Sequence, residues 1–197
     1  MVISADPRSS KIVVIASSTG GVQALERIFS DFPAEIPPIV VVQHLPDGIA
    51  RSFAYRLNNS LKCTVSEAKS GDIVRAGHIL IAPGGLHIFL KENRGQLVVE
   101  CFHGKRLHGV MPSADVLFES ASQVLKRNAV GVILTGMGAD GAGGLLKMRK
   151  SGSRTIGQDK ETSIVYGMPK VAKSIGAVEF ELPLNRISSK IMQLSCS

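Results

Sequence analysis

Three side chains able to perform acyl transfer stand just past three apolar runs. Ser18 follows Ile12, Val13, Val14 and Ile15, His44 follows residues 39–43, and Asp140 lies in the loop after residues 129–134. Acyl transfer needs a hydroxyl nucleophile and an imidazole that takes and returns its proton. It also needs a carboxylate that fixes the imidazole tautomer and stabilises its charged form. Glycines on both sides of Met137 let backbone N–H groups crowd a developing oxyanion. Ser17 adjoins Ser18, and spacing alone does not choose between the two hydroxyls.

These residues meet only if the elements before them lie side by side. Uninterrupted β-branched runs suit strands buried on both faces of a parallel sheet. After the first run come hydroxyls and glycines (residues 17–21), then Val22, Leu25, Ile28, Phe29 and Phe32 at helical spacing. This is a strand, a tight turn and a helix. In an open α/β sheet such turns lie at the carboxyl edge of the strands, where ligands bind, with a helix N-terminus behind them.

Further along, Ile49, Phe53 and Leu57 give one helical face, with Arg51 and Arg56 elsewhere on it. Shorter strands are expected at 64–82, and a β-hairpin from residues 86–91 and 96–102 around Glu92-Asn93-Arg94-Gly95. Pro112 and Ser113 open a helix whose apolar stripe is Val116, Leu117, Ala121, Val124 and Leu125. A helix with Leu145, Leu146 and Met148 follows Asp140. Residues 154–158, 163–165 and 178–181 read as weaker strands, and 169–175 and 184–194 as short helices. Strands alternating with helices imply an α/β domain with a mainly parallel sheet and right-handed crossovers. Residues 1–10 read as a short N-terminal tail, and 11–197 as a single domain.

Composition narrows the class. A chain of 197 residues with 44% hydrophobic and 20% charged residues suits a globular core. No apolar run approaches the length of a membrane span, and no signal-peptide core opens the chain. Cys63, Cys101 and Cys196 are scattered and odd in number, so neither a disulfide framework nor a zinc spacing is present. A reducing cytoplasm is expected. The formal charge of +7 reads first as a solvated basic surface and next as suiting an acidic protein partner; without basic runs, and with 5% aromatics, it gives no base-stacking platform, and no nucleic acid is expected. His78, His87, His103 and His108 lack metal-ligand spacing and are expected at the surface.

One competing pattern exists. Gly136-Met137-Gly138-Ala139-Asp140-Gly141 matches G-x-G-x-x-G after a strand and before a helix, with Asp159 downstream. An aspartate inside that turn would repel a pyrophosphate, and the pattern falls late in the chain rather than in its first βαβ unit. Ser18 could also be a helix cap, and Asp140 likewise. The order Ser, His, Asp and the lack of a G-x-S-x-G elbow set the chain apart from α/β-hydrolases.

The chain resembles the catalytic domain of the bacterial chemotaxis receptor protein-glutamate methylesterases, from about Lys11 to Leu194. The resemblance rests on Ser-Ser-Thr-Gly-Gly at 17–21, Val-Gln-His at 42–44, Arg-Ser-Phe-Ala at 51–54 and Ile-Ala-Pro-Gly at 81–84. Pro-Ser-Ala-Asp-Val-Leu-Phe at 112–118 and Val-Gly-Val-Ile-Leu-Thr-Gly-Met-Gly-Ala-Asp-Gly at 130–141 complete it. It implies a doubly wound, mainly parallel sheet with helices on both faces and an added antiparallel hairpin. It selects Ser18 over Ser17 as nucleophile, with His44 as base and Asp140 as the orienting acid. Thr19 would support the histidine, and the Met137 N–H would help form an oxyanion hole.

By the same resemblance the reaction is hydrolysis of glutamate γ-methyl esters on chemoreceptors, releasing methanol, with glutamine deamidation beside it. No metal or organic cofactor is required. The implied partners are the acidic cytoplasmic helices of methyl-accepting chemotaxis receptors, with no membrane insertion. The alternative from another class is a receptor-binding module that kept the fold without the chemistry. Ala16 replaces a usual glycine, and Met111 stands where the family usually has an arginine. The family usually carries an N-terminal receiver domain, which ten residues are too few to form. A stand-alone esterase or a fragment is the expectation.

Overall fold

The β-branched run at residues 12–15 lies at the middle of the molecule. The computed structural model describes residues 11–195, so the N-terminal tail and Cys196 lie outside the described residues. The chain runs β1 (Ile12–Ser17), α1 (Gly21–Ser30), β2 (Ile39–Gln43), α2 (Ile49–Ser60), β3 (Thr64–Glu67) and β4 (His78–Ile81). A hairpin of β5 (His87–Asn93) and β6 (Gln96–Phe102) follows, then α3 (Ala114–Val124) and β7 (Ala129–Ile133). The remainder is α4 (Ala142–Lys150), β8 (Arg154–Gln158), α5 (Met168–Ser174), β9 (Phe180–Leu182) and α6 (Leu184–Ser195).

Seven strands form one sheet in the order β3-β4-β2-β1-β7-β8-β9, and every pairing in it is parallel. Both faces are covered, which is why the central strands lack alternation. Odd-numbered Val13, Ile15 and Val41 pack with Leu25, Phe29, Phe53, Leu57 and Ile187 from α1, α2 and α6. Even-numbered Val14, Ala16, Val40 and Val42 pack with Leu117, Phe118, Leu145 and Met148 of α3 and α4, and with Ile88, Leu90 and Val99 of the hairpin. The antiparallel β5–β6 pair thus caps one face rather than extending the sheet. From β1 the chain winds to β2 on one side and later to β7 on the other. The carboxyl end of β1 is therefore the topological switch point, where open α/β sheets bind ligands.

Several local expectations need correction. Ile49 and Val124 are exposed, at 49% and 38%. Ala50 and Ala54 join the expected Phe53 and Leu57 on the buried face of α2, and Ala114 and Phe118 join the expected Leu117 and Ala121 in α3. Residues 163–165 form no strand; only a single bridge joins Tyr166 to Gly136, because the Thr135 hydroxyl ties up the Val165 N–H. The hairpin strands run through Glu92 and Asn93, leaving Arg94 and Gly95 at φ 51° and 78° as a two-residue turn. His87, expected at the surface, is only 2% exposed.

Candidate active site

Parallel register brings the first two candidates together. Ser17 pairs with Gln43, and the His44 N–H donates to the Ser17 carbonyl at 3.1 Å, so Ser18 and His44 are the next pair past the strand ends. Toward β7, the Ser18 N–H donates to the Thr135 carbonyl at 3.0 Å. Alternation of side chains then separates the two serines. Ser17 falls on the α1 face, fully buried, and its hydroxyl donates to Gln43 Oε1 at 2.6 Å. Ser18 continues the even-numbered series toward α3, is half-buried, and no hydrogen bond of its hydroxyl is formed within the described residues. Ser17 is thereby removed as a solvent-accessible nucleophile.

The turn that presents Ser18 depends on close approach. Gly21 lies so near the Ser17 and Gln43 side chains that a Cβ there would overlap Gln43 Oε1 and sit 2.6 Å from Ser17 Cβ. Across the sheet edge, a Cβ on Gly136 would overlap Met168 Sδ and come within 2.7 Å of Ser18 Cβ. Only glycine allows these backbones to meet.

His44 and Asp140 form the core of the site. His44 Nε2 donates to Asp140 Oδ2 at 2.8 Å, with the two side chains 10% and 2% exposed. That bond fixes the tautomer and leaves Nδ1 as the ring's unprotonated nitrogen. The carboxylate is held from its other side by the start of α3. Ser113 Oγ donates to Oδ1 at 2.6 Å, the Ala114 N–H to Oδ2 at 2.6 Å and the Asp115 N–H to Oδ1 at 3.3 Å. Burial by itself pushes the Asp140 carboxyl up, but the bonds from His44, Ser113 and Ala114 outweigh it and hold the group below the ordinary aspartate value. Asp140 is therefore an ionised aspartate at neutral pH, bound to a helix N-terminus that favours negative charge.

The supporting candidates are placed differently. Thr19 is exposed; its side chain makes no hydrogen bond to His44, and its carbonyl accepts the Thr135 hydroxyl at 2.9 Å. Met137 is 70% exposed. Among the described residues, neither the Met137 N–H nor the Thr19 N–H has an internal acceptor. Both are free to bind an oxyanion. The G-x-G-x-x-G segment offers no open phosphate cradle: Asp140 is committed to His44 and α3, and the Gly144 N–H of α4 already donates to Asp115 Oδ1 at 2.6 Å.

Three supporting residues escaped the sequence reading. Gln43 receives the Ser17 hydroxyl and donates to the carbonyls of Ser18 at 3.0 Å and His44 at 3.3 Å, clamping the ends of β1 and β2 together. Its signal was a carboxamide at the end of a buried strand, where every polar atom needs a partner. Ser113 orients Asp140, and its own N–H donates to His87 Nδ1 at 3.1 Å. His87 Nε2 in turn donates to the Lys105 carbonyl at 2.9 Å. No spacing rule links residues so distant. Rival nucleophiles are disfavoured, since Cys63 and Cys101 are free thiols whose pKa values burial raises, Cys101 to about 11. A cleft of about 380 Å³ opens beside His44, between the loop after β2 and the loop before α3.

With this geometry in view, comparison with known proteins gives one consistent answer. The CheB methylesterase family model matches residues 13–191. A protein-glutamate methylesterase/protein-glutamine glutaminase of Sulfurimonas denitrificans is 48% identical over 94% of this chain and 53% of its own length. Its counterpart in Agrobacterium fabrum is 49% identical, again over 94% and 53%. The chain thus spans about half the length of the curated relatives it matches. The crystal structure of the Thermotoga maritima CheB methylesterase catalytic domain is 40% identical, covers 94% of this chain and 99% of that one, and superposes with a TM-score of 0.91. The family model spans residues 13–191, and the doubly wound sheet with its added hairpin superposes on a solved member: this chain belongs to the CheB methylesterase family.

Proposed function

We propose that the chain hydrolyses glutamate γ-methyl esters on the acidic cytoplasmic helices of methyl-accepting chemotaxis receptors, releasing methanol, and that it also deamidates receptor glutamines. Residues 11–197 act as one catalytic domain, working in the cytoplasm. Among the described residues no helix is long and apolar enough to cross a membrane. The observation that carries the reading is the 2.8 Å His44–Asp140 bond directly beside Ser18 at the sheet's switch point. The names of the relatives supply the substrate class.

Ser18 Oγ attacks the ester carbonyl carbon while His44 Nδ1 takes its proton, and Asp140 stabilises the resulting imidazolium through Nε2. Negative charge on the carbonyl oxygen falls to the Met137 and Thr19 N–H groups. The imidazolium returns the proton to the departing methoxide, methanol leaves, and an acyl-enzyme remains. A water deprotonated by His44 then attacks the acyl carbon, and Ser18 leaves with its proton restored. No cofactor takes part in these steps. The formal charge of +7 favours encounter with acidic receptor helices.

Methanol release from methylated receptor measures this directly. Wild type should turn over, and Ser18→Ala should lose roughly a thousandfold or more. Equal release by the two proteins would sink the Ser18 mechanism, and no release by either would leave a receptor-binding module as the better reading.

A further inference from the structure

The cleft beside His44 has a second wall that the chemistry does not use. Its lining includes Leu45, Asp47, Arg106, Val110 and Met111. The loop contributing the last three, residues 103–111, carries His103, Lys105, Arg106 and His108 and no acidic residue. Exposed loops usually hold such cations loosely, but this one is anchored at three points. His87 donates to the Lys105 carbonyl. Leu107 and Val110 exchange backbone hydrogen bonds at 3.1 and 2.9 Å across a turn with His108 and Gly109 at φ 51° and 78°. His108 Nε2 meets Asp115 Oδ2 at 2.8 Å. Arg106 itself makes only a 3.4 Å contact with the Gly109 carbonyl and, among the described residues, no ion pair.

A guanidinium held on a fixed turn beside the proposed base, with no carboxylate partner among the described residues, is preorganised to accept one from outside. We propose that Arg106 is a specificity-determining residue that binds a free carboxylate on the substrate helix about one turn from the ester. This rests on the methylesterase reading and deepens it. Arg106 would select esters embedded in an acidic helix over isolated ones. Residues one turn apart on a helix lie close enough for one side chain to enter the Ser18 site while its neighbour reaches the cleft. Asp47 shares the cleft and opposes the preference, so it tunes the selection rather than making it.

The test is a two-by-two comparison of enzyme and substrate. Two helical peptides carry a glutamate γ-methyl ester with either glutamate or glutamine four residues away on each side. Initial rates give kcat/KM for wild type, Arg106→Ala and Asp47→Asn. Wild type should favour the glutamate peptide by about two- to fivefold, the range expected of a solvent-accessible charge pair with good geometry. The preference should sit in KM, collapse to about one in Arg106→Ala, and widen in Asp47→Asn. A preference that survives Arg106→Ala undiminished, or no preference in wild type, overturns the assignment to Arg106. Failure of wild type to hydrolyse either peptide overturns the methylesterase reading itself, and the inference with it.

Discussion

Two histidine–aspartate pairs flank the start of α3 with the same contact, Nε2 to Oδ2 at 2.8 Å: His44–Asp140 and His108–Asp115. Both aspartates also accept helix N–H groups, Asp140 from Ala114 and Asp115 from Gly144. Their surroundings separate them. In the first pair the histidine is 10% exposed and adjoins Ser18; in the second it is 46% exposed and faces solvent on a surface turn. A polarised imidazole is therefore not enough to mark a catalytic centre. What distinguishes the first pair is its burial, the neighbouring Ser18 hydroxyl and the Thr19 and Met137 N–H groups, none of which has a partner among the described residues. The second pair has the role of pinning the loop that bears Arg106.

That contrast can be broken most sharply at the histidines. His44→Ala should lower ester hydrolysis by about 10⁴-fold or more, whereas His108→Ala should change turnover of a small uncharged ester by less than about threefold; comparable losses in the two variants would erase the distinction. Asp140→Asn preserves size but reverses the tautomer, and a fall of about 10⁴ in kcat is expected in steady-state assays. Gly136→Ala attacks the geometry rather than the chemistry. Its Cβ would press on Ser18 and Met168, and thermal unfolding should show a loss of about 1–3 kcal/mol together with reduced activity.

Acid titration sharpens the comparison further. The folded Asp140 has a pKa below its ordinary 3.8, so its ionised form stabilises the fold above that pH, and this stabilisation is lost as pH falls through the folded value. Wild type should therefore exceed Asp140→Asn in Tm by most above about pH 4, with the gap closing in stronger acid; a gap that grows on acidification contradicts the assignment. The smallest effect belongs to Asp115→Asn. Weakening its partly exposed bond to His108 should cost less than about 1 kcal/mol in denaturant unfolding.

Much of this was legible in the chain because strand burial and switch-point geometry write themselves into composition. The apolar runs at 12–15, 39–42 and 129–134 located the three central strands, and the polar residues at their ends marked the candidate site. The exclusion of Ser17 was not legible from spacing, since it depends on which face of β1 meets α1. Nor were Ser113 and His87, whose partners are set by the packing of α3 and the hairpin rather than by any local pattern. Periodicity misled at Ile49 and Val124, where alanines next to the sheet let the backbone approach closely and turned the larger residues outward. Residues 163–165 have the composition of a strand, but side-chain bonds from Thr135 hold them as a loop.

The central claim is that Ser18, activated by His44 on Asp140, is the one nucleophile of this chain. A serine-directed fluorophosphonate, followed by proteolysis and mass spectrometry, tests it most directly. The account predicts a single adduct on Ser18, slowed by orders of magnitude in His44→Ala and retained in His108→Ala. An adduct on Ser17, or labelling of Ser18 at an equal rate in His44→Ala, would contradict it.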